Sequence, residues 1–589
     1  MEQSYYEQLG DQTRARIEQY KRKSQLYTTR RTLAFILIVL AVGAAYDLGT
    51  PWFLALALAI LVYFFYLIKG HSHLHDQLTY EENKYLVLKN YLARFSGEWT
   101  QLPDTGADGL ERGFTQDQDL NLLGKASIFQ YCSVARTKAG RQRLAQRLSP
   151  EPVDKEEFRF RQAETAFFMD HPQESLHLQA LSQPIPLNHT MDRLLAYLSD
   201  SHKQLPALLA QISIIAPPVA IGIWVLSLFD IVPLQLPMVL FTLQLGAALL
   251  LLPKTSVHIT PLYRLNKELV HYYQLLAALG DMLPEEAIGH INRDEIKEAL
   301  QPIRQLGWLC VLAEIRHNFI LLFVLNFLCL WDFHIVKLFI SWQKAYGTQL
   351  DHWLSLWHET ETALSLAVIG HTRPHTVMPE LLDEQVPHIE AQQLHNMLIP
   401  PSDSVANSIS LRPSLNIITG SNMSGKTTWL RTLASACILA YAGAPVCAAG
   451  FRLSPMAILT SIRVSDDLER GISTFYAELT RLRDMIEKEK SGQPLLVVID
   501  EIFKGTNSAD RIICAQTALI RLAGPKVITL VSTHDFELCR LQTDSGLPVH
   551  NFHFEEHYIN DEIKFDYRMK EGPCQTTNAQ FLLKMVGIE

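Results

Sequence analysis

The chain has 589 residues, enough for several domains and a large core, and its net charge of −9 excludes a chain-wide basic surface of the kind that grips nucleic acid. Hydrophobic residues make up 48% and charged residues only 19%, a low charged share that points to part of the chain lying in lipid. The eight cysteines are scattered and form no C-x-x-C pair, which argues against a zinc site or disulfide framework and fits a reducing compartment.

Residues 1–31 are polar, read as helical, and end in a basic cluster of Lys21, Arg22, Lys23, Arg30 and Arg31. A polar start with a late apolar run gives no expectation of a cleavable signal peptide. Apolar runs then cover Leu33 to Tyr46 and Trp52 to Ile68, separated by the short break 47–51 and closed by Lys69. Each is near the lower limit of about 17 residues for a bilayer span, and the basic flank fits the cytoplasmic side. A transmembrane hairpin at about 33–68 is the expectation, with a buried hairpin in a soluble core as the alternative.

Residues 105–200 read as soluble helices. A second transmembrane hairpin is expected at about 208–252, from Leu208–Leu228 and Leu234–Leu252, with Pro217 and Pro218 kinking its first helix, which membrane helices tolerate. A third apolar stretch, Phe319–Ile340, is interrupted by Asn326, Asp332, His334 and Lys337. An Asp or Lys at mid-bilayer costs roughly 3 kcal/mol, so this stretch is read as a buried soluble helix, with a membrane span as the alternative. Residues 255–317 and 341–395 read as mixed helices. From about Leu411, short β-rich runs alternate with helices, which predicts a parallel sheet with crossover helices.

This last region carries the chemistry. An apolar run, Leu415–Gly420, leads into Ser421–Thr428, a loop of G-x-x-x-x-G-K-T form before a helix starting near Lys426. Such a loop wraps phosphate oxygens with backbone N–H groups at a helix N-terminus. Lys426 would reach the β- and γ-phosphates, and Thr427 would ligand Mg²⁺. A second run, Leu495–Ile499, ends in Asp500 and Glu501. Asp500 is placed to hold Mg²⁺, and Glu501 to polarise the attacking water as general base. A third, Val527–Thr533, delivers His534 to the strand end where ligands collect, placed to sense the γ-phosphate. Ser465–Phe475 precedes a helix, Tyr476–Lys488, as another anion-binding helix start, and Lys504–Asp510, which includes Asn507, is a polar loop suited to a subunit interface.

These residues resemble the MutS family. Its phosphate loop, G-x-N-M-x-G-K-[ST], is matched by Gly420, Ser421, Asn422, Met423, Ser424, Gly425, Lys426 and Thr427, followed by Thr428. Its S-D-D-L…G-x-S-T-F runs from Ser465 to Phe475, its D-E-I-x-x-G-T from Asp500 to Thr506, and its T-H-x-x-E-L from Thr533 to Leu538. Gly572, Asn578, Ala579, Gly587 and Ile588 resemble the end of the family's ATPase domain, and Asp119–Leu148 resembles the opening of its helical core. Two features depart from the family: no F-x-E motif precedes residue 110, and the apolar stretch 205–254 stands where the DNA clamp would lie.

The resemblance implies an α/β P-loop NTPase domain of the ABC type at 401–589. Ahead of it come an all-α helical core or lever region at 105–400, holding the second hairpin, and an N-terminal region at 1–104 with the first. It implies ATP and Mg²⁺ as ligands, and a homodimer in which Ser473 acts in trans on the partner's nucleotide, with Asn507 among the nucleotide contacts. Glu501, His534 and Lys426 would be catalytic, and Thr427 and Asp500 would hold the metal. The implied function is ATP hydrolysis driving lever movement, linked through the family to mismatched DNA and DNA mismatch repair. The alternative is a membrane-anchored, ABC-like mechanochemical ATPase acting on a membrane or protein partner without DNA. The expected location is the inner or plasma membrane with the ATPase domain in the cytoplasm; the alternative is cytoplasmic.

Overall fold

The computed structural model describes residues 2–107, 114–187, 191–199, 207–263, 265–421, 423–463, 474–503, 508–541, 546, 548–559 and 562–574. Cα packing divides the chain into two compact units, one of Met1–Ala135, Arg141–Leu176 and Thr362–Glu589, the other of Arg136–Gly140 and His177–Glu361. The N-terminal part is mostly helical, and the C-terminal part is α/β.

In the first unit, α1 (Gln3–Leu48) and α2 (Trp52–Ser96) form a long hairpin. The two expected apolar runs are thus the distal halves of helices that also carry long polar segments. Gly49, in the left-handed region at φ 63°, ends α1, and Pro51 precedes the first turn of α2. This is the usual placing of glycine after a helix and proline at the start of one. The polar halves are held together by side chains: Lys21 pairs with Glu82 at 2.8 Å, and His71 meets both Ser24 (2.9 Å) and Arg31 (2.8 Å). The apolar halves expose large side chains instead, among them Phe35, Leu40, Leu58 and Phe65. Both helices are long and apolar enough to cross a membrane. At the polar end, Tyr6 stacks on Tyr91 with ring centroids 4.9 Å apart, in a small core with Leu88, Leu176 and Val368.

In the second unit, α3 (Ala207–Leu228) contains both Pro217 and Pro218, and α4 (Gln235–Leu250) follows after a short turn. Two apolar helices thus stand where the second transmembrane hairpin is expected, but α4 ends at Leu250, and the chain bends by 60° into Leu252–Leu262. The stretch Phe319–Ile340 is not one buried helix. It breaks at Leu330, whose φ of 52° is left-handed, into α5 (Phe319–Cys329) and the helix Trp331–Tyr346. The break places Asp332 in the interior beside Arg316 at 3.4 Å, while α5 keeps its apolar side chains exposed. Hydropathy alone counts residues and does not see which way they face.

The C-terminal part of the first unit is built on six strands: β1 (Ser414–Thr419), β2 (Ala457–Ser461), β3 (Leu495–Asp500), β4 (Val527–Ser532), β5 (Val549–Ile559) and β6 (Glu562–Glu571). Their order is β6-β5-β1-β4-β3-β2, parallel throughout except for the antiparallel β5–β6 pair. Every residue of β1, β3 and β4 is buried, as expected of central strands covered on both faces. The helices α6 (Lys426–Ala442), α7 (Thr474–Lys490) and α8 (Ser508–Leu522) accompany the sheet. A smaller sheet of Glu380–Leu381, Gly450–Leu453, Ile389–Leu394 and Asn407–Leu411 lies in the same unit.

Candidate functional site

The site gathers at the C-terminal ends of β1, β3 and β4. Strand β1 stops at Thr419, and the chain turns through Gly420 (φ 146°) and Gly425 (φ 104°), conformations that side-chain-bearing residues rarely adopt. Space is tight as well. A Cβ on Gly420 would sit 2.8 Å from the Phe554 carbonyl oxygen, and one on Gly425 would sit 3.1 Å from the Tyr567 ring. Gly425 also caps α6, so the free N–H groups of the first turn face the loop.

Lys426 is buried, and its ammonium donates to the carbonyl oxygens of Gly420 and Ser421, both at 2.8 Å. The charge is thereby held inside the loop's curve. Thr427 Oγ1 donates to Asp500 Oδ2 at 2.8 Å. The parallel register pairs Ser532 with Asp500, which lets the Ser532 hydroxyl donate to the other carboxylate oxygen, Oδ1. Asp500 is thus fixed from both sides at the end of β3.

Glu501 follows in the left-handed region at φ 51°, with its N–H donating to the Ser532 carbonyl at 3.1 Å. That turn swings its carboxylate out of the strand direction to lie 3.2 Å from His534 Nε2. His534 comes from the end of β4, and the next residue, Asp535, is clamped by a two-pronged ion pair with Arg511 of α8 at 2.7 and 3.0 Å. Two motifs separated by 33 positions are therefore brought into contact.

A cavity of about 620 Å³ opens beside the loop and is lined by Ser421, Met423, Ser424, Gly425, Lys426, Thr427, Thr428 and Glu501. This volume suits a nucleotide-sized ligand. The hydroxyl oxygens of Ser421 and Ser424 are buried with no hydrogen-bond partner among the described residues, so two polar groups face the loop unsatisfied. A polyphosphate accepts hydrogen bonds from such groups and from backbone N–H. A hydroxyl and a carboxylate 2.8 Å apart make an oxygen donor set suited to Mg²⁺. The residues present therefore fit both ATP and Mg²⁺. Asn422, Ser473 and Asn507 lie outside the described residues.

The cavity lining also includes two residues that the sequence pattern does not single out. Phe565 and Tyr567 alternate on β6, with ring centroids 6.0 Å apart. Asn407 donates to the Tyr567 carbonyl at 3.0 Å and accepts from Met569 N–H at 2.7 Å, tying the β5–β6 pair to the small sheet. The period-two spacing of two aromatics was the only signal in the sequence. Asp119 lies outside the cavity lining, and its long-range partners are likewise not legible in the sequence. Fully buried, it accepts from the Thr460 hydroxyl (2.6 Å), the N–H groups of Ile462 and Arg463 (3.1 and 2.8 Å) and Arg481 of α7 (3.1 Å).

Among known protein families, residues 416–587 match the model for MutS domain V, the ATPase domain of that family, and the match supports membership of the chain in the MutS family.

Proposed function

We propose that this protein is an Mg²⁺-dependent ATPase of the MutS type that works from a membrane, pairing two copies around nucleotide and using closure and release of the pair to move its helical region. The observation that carries the reading is the linked set Thr427–Asp500–Glu501–His534 at the rim of the glycine loop. In this reading the loop N–H groups, the Ser421 and Ser424 hydroxyls and Lys426 bind the phosphates. Thr427 and Asp500 would hold Mg²⁺, which when bound would supply charge neutralisation for the phosphates. Glu501 takes a proton from the attacking water, and His534 orients that carboxylate. Positioning and charge stabilisation supply most of the rate. Ser473 and Asn507 are proposed as contacts across the nucleotide, Ser473 from the partner copy. The membrane part of the proposal is supported by the exposed apolar halves of α1 and α2, and a cytoplasmic ATPase domain by the basic cluster at 21–31 flanking them.

A second reading, mismatch repair, is favoured by the MutS domain V match itself. Turnover by the full chain in lipid vesicles, with Glu501→Gln as the inactive control, separates the two when homoduplex, mismatched and branched DNA are added over a salt series. Loss of turnover in the control with nucleotide still bound supports the ATPase. DNA stimulation that fades steeply with salt supports the repair reading. Unchanged turnover in the control overturns the mechanism, and normal turnover indifferent to DNA overturns the repair reading.

A further inference from the structure

The second unit has an apolar face that composition alone does not account for. On α5, Phe319 is 70% and Ile320 72% exposed, and Leu321, Val324 and Leu328 are exposed as well. The helix packs on α3 and α4, with the Phe327 and Phe241 rings 5.0 Å apart. Its exposed face continues that of its neighbours, where Val219, Val225, Val239 and Leu243 face outward. No charged residue occurs in α3, α4 or α5. A protein-docking face has a polar rim interleaved with its apolar centre. Here the charged groups lie beyond the helix ends, at Asp230 in the turn between α3 and α4, and at Lys254, Arg316, His317 and Asp332.

Several polar groups of these helices are turned inward on the backbone, although Gln244 Oε1 of α4 is buried with no hydrogen-bond partner among the described residues. Asn326 is only 3% exposed; its amide donates to the Leu322 carbonyl at 3.0 Å, and its Oδ1 accepts from Asp332 N–H at 3.2 Å. Cys329 Sγ meets the Leu325 carbonyl at 3.0 Å, and Thr242 of α4 donates to the Met238 carbonyl at 2.7 Å. At the start of α5, after a 109° bend, the Asn318 side chain accepts from the otherwise free N–H groups of Ile320 and Leu321 at 3.1 and 3.2 Å. At exposed positions in water such groups need no internal partner, whereas buried Asn326 needs one in either medium. In hydrocarbon every one does.

We propose that α5, with α3 and α4, forms a second membrane-embedded element, in which α5 enters the acyl-chain layer and turns back without crossing it. Eleven residues at 1.5 Å each reach about 16 Å, roughly half of a hydrocarbon core about 30 Å thick. The inference rests on the membrane reading of the chain but concerns a helix that this reading does not need, because α1 and α2 anchor the protein by themselves.

The test places an environment-sensitive fluorescent amino acid, by codon suppression, at one of three positions of the full chain in phosphatidylethanolamine–phosphatidylglycerol vesicles. Position 324 reports α5, position 40 reports α1, and position 513, exposed on α8, reports water. The expected result at 324 is blue-shifted emission, loss of intensity with spin-labelled lipid and none with iodide, with ATP turnover retained. Iodide quenching at 324 while 40 remains in lipid overturns the α5 proposal and leaves the anchor standing. Iodide quenching at both positions overturns the membrane reading too. Protection at 324 from both quenchers means a protein covers the face, and also overturns the proposal.

Discussion

Thr427 Oγ1 lies 2.8 Å from Asp500 Oδ2, joining the first turn of α6 to the end of β3. The two residues are 73 positions apart and meet because β3 and β1 both flank β4 in one parallel sheet. The pair is the proposed metal-binding edge of the site. Asp500→Asn keeps the shape of the side chain and its contact with Ser532 but removes the charge. Metal-assisted charge stabilisation is worth several kcal/mol, so turnover is expected to fall about 100-fold or more. A magnesium titration of steady-state hydrolysis checks this, with thermal unfolding as the control for folding. Turnover near that of the unaltered chain would remove Asp500 from the metal site.

Tyr567 lines the cavity beside Gly425 of the loop. A ring there is placed to stack on the nucleotide base, an interaction worth about 1–3 kcal/mol. Tyr567→Ala is expected to raise KM for ATP roughly 10-fold with kcat little changed, since ground state and transition state lose the same contact. Tyr567→Phe keeps the ring and is expected to match the unaltered chain. An equal fall in kcat for both variants would instead place the hydroxyl in the chemistry.

The contrast between these two positions shows what was legible in the sequence. Asp500, Glu501 and His534 each end an apolar run, and such a run bounded by a charged or polar residue is readable as a buried strand presenting its last side chain. Tyr567 was not readable, because it reaches the cavity through β6 pairing with β5, which pairs with β1, 134 positions earlier in the chain. Asp119 was invisible for the same reason: its partners Thr460 and Arg481 are 341 and 362 positions away. The parallel sheet with crossover helices was recovered from alternating runs. The division at Leu330 was missed, since a single left-handed residue leaves no trace in hydropathy.

Asp119 gives a prediction about stability. It receives four hydrogen bonds, two of them from the backbone just after β2 and one from the Arg481 guanidinium. Asp119→Ala would leave the two N–H groups and the cation without their acceptor. Removing one partner of a buried charge pair costs about 3–5 kcal/mol. Asp119→Asn retains one acceptor oxygen and is expected to cost less. Denaturant unfolding of the two variants checks the order. Equal stability of Asp119→Ala and the unaltered chain would show that the buried cluster contributes nothing.

The base of the α1–α2 hairpin carries a pH dependence whose sign can be worked out. His371 is buried, with Nε2 3.1 and 3.2 Å from the Phe168 and Met169 carbonyl oxygens and Nδ1 3.2 Å from the Tyr91 hydroxyl. Two carbonyls at Nε2 fix the proton there, so Nδ1 accepts from Tyr91 and the ring is neutral. Burial holds its pKa down, from 6.5 to about 4. Between those values the unfolded chain binds a proton that the folded chain does not. Stability therefore falls as pH drops through this window, by at most about 1.4 kcal/mol per pH unit from this group. His371→Gln removes the titrating ring, so the difference in melting temperature between variant and unaltered chain is expected to shrink as pH is lowered from about 7 to about 4. A difference constant across that range would mean that His371 titrates alike in the folded and unfolded chains, and the neutral ring read from its hydrogen bonds would be wrong.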